Sequence, residues 1–396
     1  MRHWFLICLI GSLFSQAVGA HAQSHCIADP ENWSETALKR SLSAPLGLPP
    51  VPHPHDNPPS VGKIKLGRKL FFDRRLSINH TMSCAMCHVP EQGFTNWELS
   101  TAIGVEGRSL KRNSPSILNV AHLNVLFHDG RDHALETQFI GPLTARNEMA
   151  NPSAGHVVAL LNNLPDYAQM FENAFQAQAS LDRIGMALGA YQRSILAGNS
   201  PFDQWYFGGD ETAVIADVKR GFQIFTGKGS CSACHLIGDD HALFTDELFH
   251  DTGYGQMREG ERQNPPTSIP VQVAPGVVHQ MDFSKIRSVS AKREADLGRY
   301  EVTEDPADRW KFRTPSLRNL TVTPPYMHDG HFSTLSEVIE FYDQGGSQML
   351  GQDPRIRPLG LTRVEKQDLE AFLQSLMSPD LDCLESEARV LPPDSH

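Results

Sequence analysis

Basic residues are in short supply: 35 Lys and Arg stand against 46 Asp and Glu, a formal net charge of −11 at pH 7. A broad phosphate-binding surface needs the opposite balance, so nucleic acid is not an expected partner. Long apolar runs are also missing. The most apolar stretch, Trp4 to Phe14, falls short of the roughly 20 residues that cross a bilayer, so membrane insertion is not expected. Alternating apolar and polar residues, the mark of half-buried strands, are scarce. What is present is 40% hydrophobic and 20% charged residues over 396 positions, a globular balance long enough for two domains of roughly 100–200 residues each.

The apolar stretch follows Arg2 and precedes Ala20-His21-Ala22, the layout of a cleaved secretory signal over residues 1–22. The expected mature chain starts at Gln23 and is exported to the periplasm. Seven cysteines become six when Cys8 leaves. Four of them form Cys84-Ala85-Met86-Cys87-His88 and Cys231-Ser232-Ala233-Cys234-His235, two C-x-x-C-H haem-attachment sequences. The paired thiols add to the two vinyl groups of one haem, and the adjacent histidine becomes the proximal iron ligand. A redox disulfide or half of a zinc site would not call for a histidine after each pair. Cys26 and Cys383 remain, near the two mature ends, and an oxidising compartment permits a disulfide between them; two free thiols are the alternative.

Pro115-Ser116-Ile117-Leu118-Asn119 matches Pro315-Ser316-Leu317-Arg318-Asn319, and His128-Asp129-Gly130 matches His328-Asp329-Gly330, all at one offset of 200 positions. This reads as an imperfect internal repeat. Helical spacing is found at Ile64, Leu70 and Phe71, at Val218, Phe222 and Phe225, over Leu181 to Leu196 and over Val364 to Met377, with capping boxes at Thr334/Glu337 and Thr362/Glu365. The expected fold class is mostly α, two cytochrome c-like haem domains. The divisions are a Pro-rich extension over 23–59, a first haem domain over 60–200, a second over 201–385 and a tail over 386–396. Gly255 to Gly276 reads as a polar, Pro-rich loop.

After Thr334, Leu335, Val338, Ile339 and Tyr342 form one helical stripe. Tyr342, Met349 and Met327 are all candidates for the ligand opposite His235, and spacing equally allows Tyr342 to be a core residue. The position 200 residues before Tyr342 is Pro142, whose side chain cannot coordinate iron. The first haem is therefore expected to be open on one face and reactive, and the second to be an electron reservoir. Gln138 and Glu148 fall near Pro142, where a polar pocket would need them; taken singly, either also fits a solvated surface.

The chain resembles the bacterial dihaem cytochrome c peroxidase family, and within it the MauG-like branch. The resemblance runs through Leu66-Gly67-Arg68-Lys69-Leu70-Phe71-Phe72-Asp73, the first haem motif, Arg112-Asn113-Ser114-Pro115 and His128-Asp129-Gly130-Arg131. It continues through Phe312-Arg313-Thr314-Pro315 and Pro325-Tyr326-Met327-His328-Asp329-Gly330. It implies a peroxide-binding haem on Cys84, Cys87 and His88, a second haem on Cys231, Cys234 and His235, and a distal pair on Gln138 and Glu148. It also implies a Ca²⁺ held by Asn113 and the carbonyls of Thr323 and Pro325, oxygen donors that suit that ion. Many members carry Met where this chain has Tyr342, and a displaceable His near Gly104, where this chain has none. Both differences point to the MauG-like branch, in which Tyr ligates the second haem and the first stays open.

The implied activity is oxidation by H₂O₂ or O₂ of a protein substrate, in that branch a methylamine dehydrogenase precursor maturing to tryptophan tryptophylquinone. The alternatives are peroxide reduction with electrons from a small cytochrome c, and a dihaem electron carrier. One departure is His128, where the family has a tryptophan thought to relay electrons between haems. A hydrogen-bonding bridge and a fold-keeping role like that of His328 are both open for it. His250 is expected to be structural, by the second domain's loop. Mass spectrometry of the exported protein should find Gln23 at its start, and alkylation without reductant should leave Cys26 and Cys383 unlabelled.

Overall fold

Two crossed helix pairs carry the architecture of the computed structural model, which describes residues 28–265, 267–274, 277–287 and 295–390 and is mostly helical. Val61–Phe72 starts at Ser60, whose hydroxyl accepts from the Lys63 amide, and packs across Leu181–Gln192, capped in the same way by Ser180. The approach is close because Gly67 has no side chain: a Cβ there would lie 1.9 Å from the Ala187 carbonyl oxygen. Ala216–Thr226 packs across Arg363–Gln374 by the same device, a Cβ on Gly221 falling 1.9 Å from the Asp368 carbonyl oxygen. The capping boxes at Thr334/Glu337 and Thr362/Glu365 both form.

Each pair anchors a buried cluster. The first holds Ile64, Leu66, Leu70, Tyr167, Phe171 and Leu188, the second Phe202, Phe225, Phe244, Leu369 and Phe372. Both ends of the described chain close on the first cluster, through Trp33 and Ala37 of helix Trp33–Leu42 and through Leu381 and Leu384 of helix Leu381–Arg389. Arg40 pairs with Glu387 at 2.6 Å across these two helices. Cys383 is disulfide-bonded, while Cys26 lies outside the described residues, as does the signal over 1–22. Among the described residues no helix is long and apolar enough to cross a membrane.

Hydrogen bonds recur at the offset of 200. Asn119 and Asn319 are both left-handed, with φ of 60° and 62°. Their side-chain oxygens accept from the Ala197 and Ser378 amides, and their own amides donate to Ile195 and Leu376. Isolated bridges form at Leu126 with Asp132 and at Tyr326 with Phe332.

The expected loop over 255–276 is instead a helix, Tyr254–Gln263, followed by strands Ser268–Ala274 and Val277–Asp282, paired antiparallel with Ser268 opposite Asp282. The helix lacks an apolar stripe because charge pairs one turn apart, Arg258 with Glu261 and Arg262 with Glu259, cover its surface.

One ion pair is fully enclosed. Arg318 donates to both Asp203 oxygens at 2.8 and 2.9 Å, and to the carbonyls of Ala242 and Gly47 at 2.7 and 2.6 Å, with side-chain exposures of 1% and 0%. Removing one partner strands a buried charge. Asp203→Ala should lower stability by about 3–5 kcal/mol, seen as an earlier urea midpoint of the haem-loaded protein.

Candidate haem sites

Cys84, Cys87 and His88 line a cavity of about 580 Å³; Cys231, Cys234 and His235 line a second of about 380 Å³. Each attachment motif is a short 3-10 turn, Cys84–Met86 and Cys231–Ala233, whose fold-back brings its histidine amide onto the first cysteine carbonyl, at 2.9 and 3.0 Å. The His88 Nδ1–H donates to the Phe94 carbonyl at 3.2 Å, and that of His235 to the Phe244 carbonyl at 2.8 Å. A neutral imidazole tied through Nδ1 keeps its lone pair on Nε2, the form a metal ligand needs. Burial holds both rings below the ordinary histidine value and so keeps them neutral.

Both acceptor residues are buried phenylalanines in the left-handed region, with φ of 56° and 54°. Thr95 and Thr245, next in the chain, fasten the turns by donating to the Ser114 and Thr314 carbonyls. Phe-Thr after each haem motif is the sequence signal for these acceptors, which are absent from the candidates named above.

The cavity containing His88 is also walled by Gln138, Pro142 and Glu148, so the three expected distal residues share one site. The stripe that runs unbroken through Leu335–Asp343 is here split into Leu135–Gln138 and Ile140–Thr144. Pro142 has no N–H to give the Gln138 carbonyl, which accounts for the interruption. Burial raises the Glu148 carboxyl above its usual range, opposed by the Arg131 charge. The Glu148 carbonyl accepts from Val105 at 2.9 Å. That turn approaches so closely that a Cβ on Gly104 would sit 2.0 Å from the Asn147 carbonyl oxygen. A histidine at Gly104 would have to displace the segment carrying Glu148.

In the second cavity Tyr342 and Met327 both form part of the wall, whereas Met349 does not. Burial, with the Cys231 and Cys234 sulfurs, pushes the Tyr342 phenol above its ordinary value, so a phenolate there needs a cation in the cavity. His250 also borders this cavity, its ring nitrogens 2.9 Å from Asp353 and 2.9 Å from Asp246. His128 lines both cavities. Its Nε2–H donates to the Asn113 carbonyl at 3.0 Å, and burial, with the Arg112 charge, pushes it down to about 3.

Asn113 gives its side-chain N–H to the Pro325 carbonyl at 2.7 Å, while its Oδ1 is buried with no hydrogen-bond partner. Thr323 lines the same cavity as both. An orphaned buried oxygen beside a carbonyl is a donor set suited to Ca²⁺. The haem fit is equally direct: each cavity is mostly apolar and offers two cysteine thiols and a neutral imidazole.

Comparison with known proteins follows the same lines. Residues 62–212 match the di-haem cytochrome c peroxidase family. The methylamine utilization protein MauG of Methylorubrum extorquens is 35% identical over 366 residues, covering 90% of this chain and 91% of that protein. The chain belongs to the di-haem cytochrome c peroxidase family. It is a haem-dependent, peroxidase-type oxidoreductase. The cytochrome-c peroxidase IdrP1 of Denitromonas iodatirespirans is 37% identical over 342 residues, covering 84% of this chain and 86% of that protein. A crystal structure of a MauG-like protein associated with microbial copper homeostasis superposes with a TM-score of 0.68 at 31% identity, covering 86% of this chain and 96% of that one.

To act as a general base, Glu148 would have to be ionised before taking a proton. Its raised value therefore places the loss of reaction with peroxide, as pH falls, above the ordinary carboxylate value of 4.5. Glu148→Gln should slow that reaction roughly 10²- to 10⁴-fold, measured by rapid mixing with H₂O₂.

Proposed function

We propose that this family member is a periplasmic oxidase of the MauG kind, with two covalently bound c-type haems and a Ca²⁺ between them, that spends H₂O₂ to oxidise a protein substrate. The observation that carries this reading is the contrast between Tyr342 in the wall of the second cavity and Pro142 in the first. The two haem domains, 60–200 and 201–385, are read as copies of one unit, supported by the hydrogen bonds that recur at Asn119 and Asn319.

A haem iron on His88 would supply the redox chemistry of O–O cleavage. Around it, Pro142 leaves a face free, the Gln138 amide orients the peroxide, and Glu148 takes a proton from the near oxygen and returns it to the far one. Tyr342 would close the second site, its anionic oxygen stabilising more oxidised states there, so that oxidising equivalents are held until the substrate gives up electrons. The substrate is a methylamine dehydrogenase precursor with two tryptophans to be converted, oxidised across an interface. Peroxide reduction with electrons from a small cytochrome c is the second reading, favoured by the 37% identity to a named cytochrome-c peroxidase.

Rapid mixing of the fully ferric protein with one equivalent of H₂O₂ separates them. A fast, long-lived change in the visible spectra of both haems is expected. A reaction that waits for prior reduction of the second haem would establish the cytochrome c peroxidase reading instead. Tyr342→His should change the second haem's spectrum; an unchanged spectrum removes Tyr342 as its ligand.

A further inference from the structure

The His235 site is joined to the protein surface by packed aromatic rings. Phe244, whose carbonyl holds His235, lies 5.5 Å from Phe202 between ring centres, and Phe202 lies 6.1 Å from Trp205. A parallel route runs from His235 to Phe225 at 6.4 Å, to Phe372 at 4.9 Å, to Phe222 at 5.6 Å and to Trp205 at 5.6 Å. Beside His88 the contacts instead run through Phe71 to Tyr191, which is buried. Phenylalanine is too hard to oxidise to hold a positive charge, so its rings shorten the gaps for tunnelling and no more. Trp205 and Tyr206 are oxidisable rings at the outer end of both routes, Tyr206 lying 5.2 Å from Phe202 and from Phe222, and Trp205 is the one whose proton rests on a carboxylate.

Its setting suits proton-coupled oxidation. The Trp205 Nε1–H donates to Glu211 Oε2 at 3.2 Å, while Lys219 lies over the indole at 5.5 Å and gives an ion pair to the same oxygen at 2.6 Å. The ammonium disfavours an indole that keeps its proton after losing an electron. The carboxylate offers that proton a destination.

We propose that Trp205 is the residue through which the second site draws electrons from outside the protein, giving up one electron toward His235 as its Nε1 proton passes to Glu211. This rests on the peroxide-driven reading above. H₂O₂ is the oxidant, and its conversion to two waters takes two electrons and two protons. Trp205 passes on one electron per oxidation; its proton waits on Glu211 and returns when a one-electron donor restores the indole, so two such rounds supply the two electrons and solvent supplies the two protons.

The test is freeze-quenched electron paramagnetic resonance of the haem-loaded, full-length protein after one equivalent of H₂O₂ without donor, with peptide mapping of the products. A tryptophanyl radical and oxygen added to Trp205 are expected. Trp205→Phe should abolish the radical and lengthen the life of the oxidised visible spectrum at least about ten-fold, with the initial peroxide reaction unchanged. Glu211→Gln, which removes the proton acceptor and the ion pair to Lys219 at the surface, should keep the indole and slow formation of its radical. A radical and decay unaltered by both substitutions, or oxidation mapped to Tyr206 instead, would overturn the proposal. A wild-type protein whose haem spectra ignore H₂O₂ would overturn the peroxide reading itself, and the relay with it.

Discussion

The hydrogen bond from each proximal imidazole to a phenylalanine carbonyl is the constraint around which both sites are built. A buried histidine must be neutral and must have one nitrogen satisfied, or its desolvation goes uncompensated. The Phe94 and Phe244 carbonyls meet that need only because their backbones turn left-handed, a conformation costing of order 1–3 kcal/mol for a non-glycine residue. Packing and the next residue in the chain hold them there. Both rings are fully enclosed, and the following threonines are pinned to Ser114 and Thr314. Sequence, strained turn and tautomer thus form one chain of cause, present twice.

From that shared frame the two sites diverge at one matched pair of positions, 142 and 342. Leu335–Asp343 continues as one helix and brings Tyr342 to its cavity with Leu335, Val338 and Ile339. The first half breaks its helix around Phe139 and sets Pro142 in the wall. A side chain that could cap a metal is exchanged for one that cannot, and Glu148, carried on the stretch that follows, is buried enough for its carboxyl to titrate high. Gly104 protects this arrangement, because the turn it occupies leaves no room for a side chain against Asn147. Absence of a histidine there is therefore a packing requirement of the Glu148 segment as well as a difference in ligand set.

The parts legible in the sequence are those whose physics is local. Two thiols and a histidine within five residues declare a haem, and a threonine three residues before a glutamate declares a helix start, because neither depends on the rest of the chain. The gathering of Gln138, Pro142 and Glu148 was legible through the comparison of two halves. The helix over Tyr254–Gln263 was not, since it is anchored by Tyr254 at its first position while charge pairs along the rest leave no apolar period, and Pro and Gly nearby argued for a loop. Phe94 and Phe244 were missed for a different reason: a carbonyl's role cannot be read from the side chain above it. The closing of Leu381–Arg389 onto the first cluster is a long-range packing event that no local pattern encodes.

His128 shows how the same physics bears on communication between the sites. It walls both cavities, as do Asn113 to Ser116, Leu123 and Arg313. Burial and the Arg112 guanidinium keep that ring neutral far below physiological pH, and Arg313, donating to the neighbouring Phe127 carbonyl, adds a second positive charge close by. An imidazole is already harder to oxidise than an indole, and a positive surrounding raises the cost of placing further positive charge on it. In the proposed function His128 is therefore part of the medium between the haems and not a stopping point. Its Nε2–H is spent on the Asn113 carbonyl, the residue whose own buried Oδ1 has no hydrogen-bond partner. The inter-haem wall thus joins the two cavities and the expected Ca²⁺ position through one short path, from His128 to Asn113 to the Pro325 carbonyl.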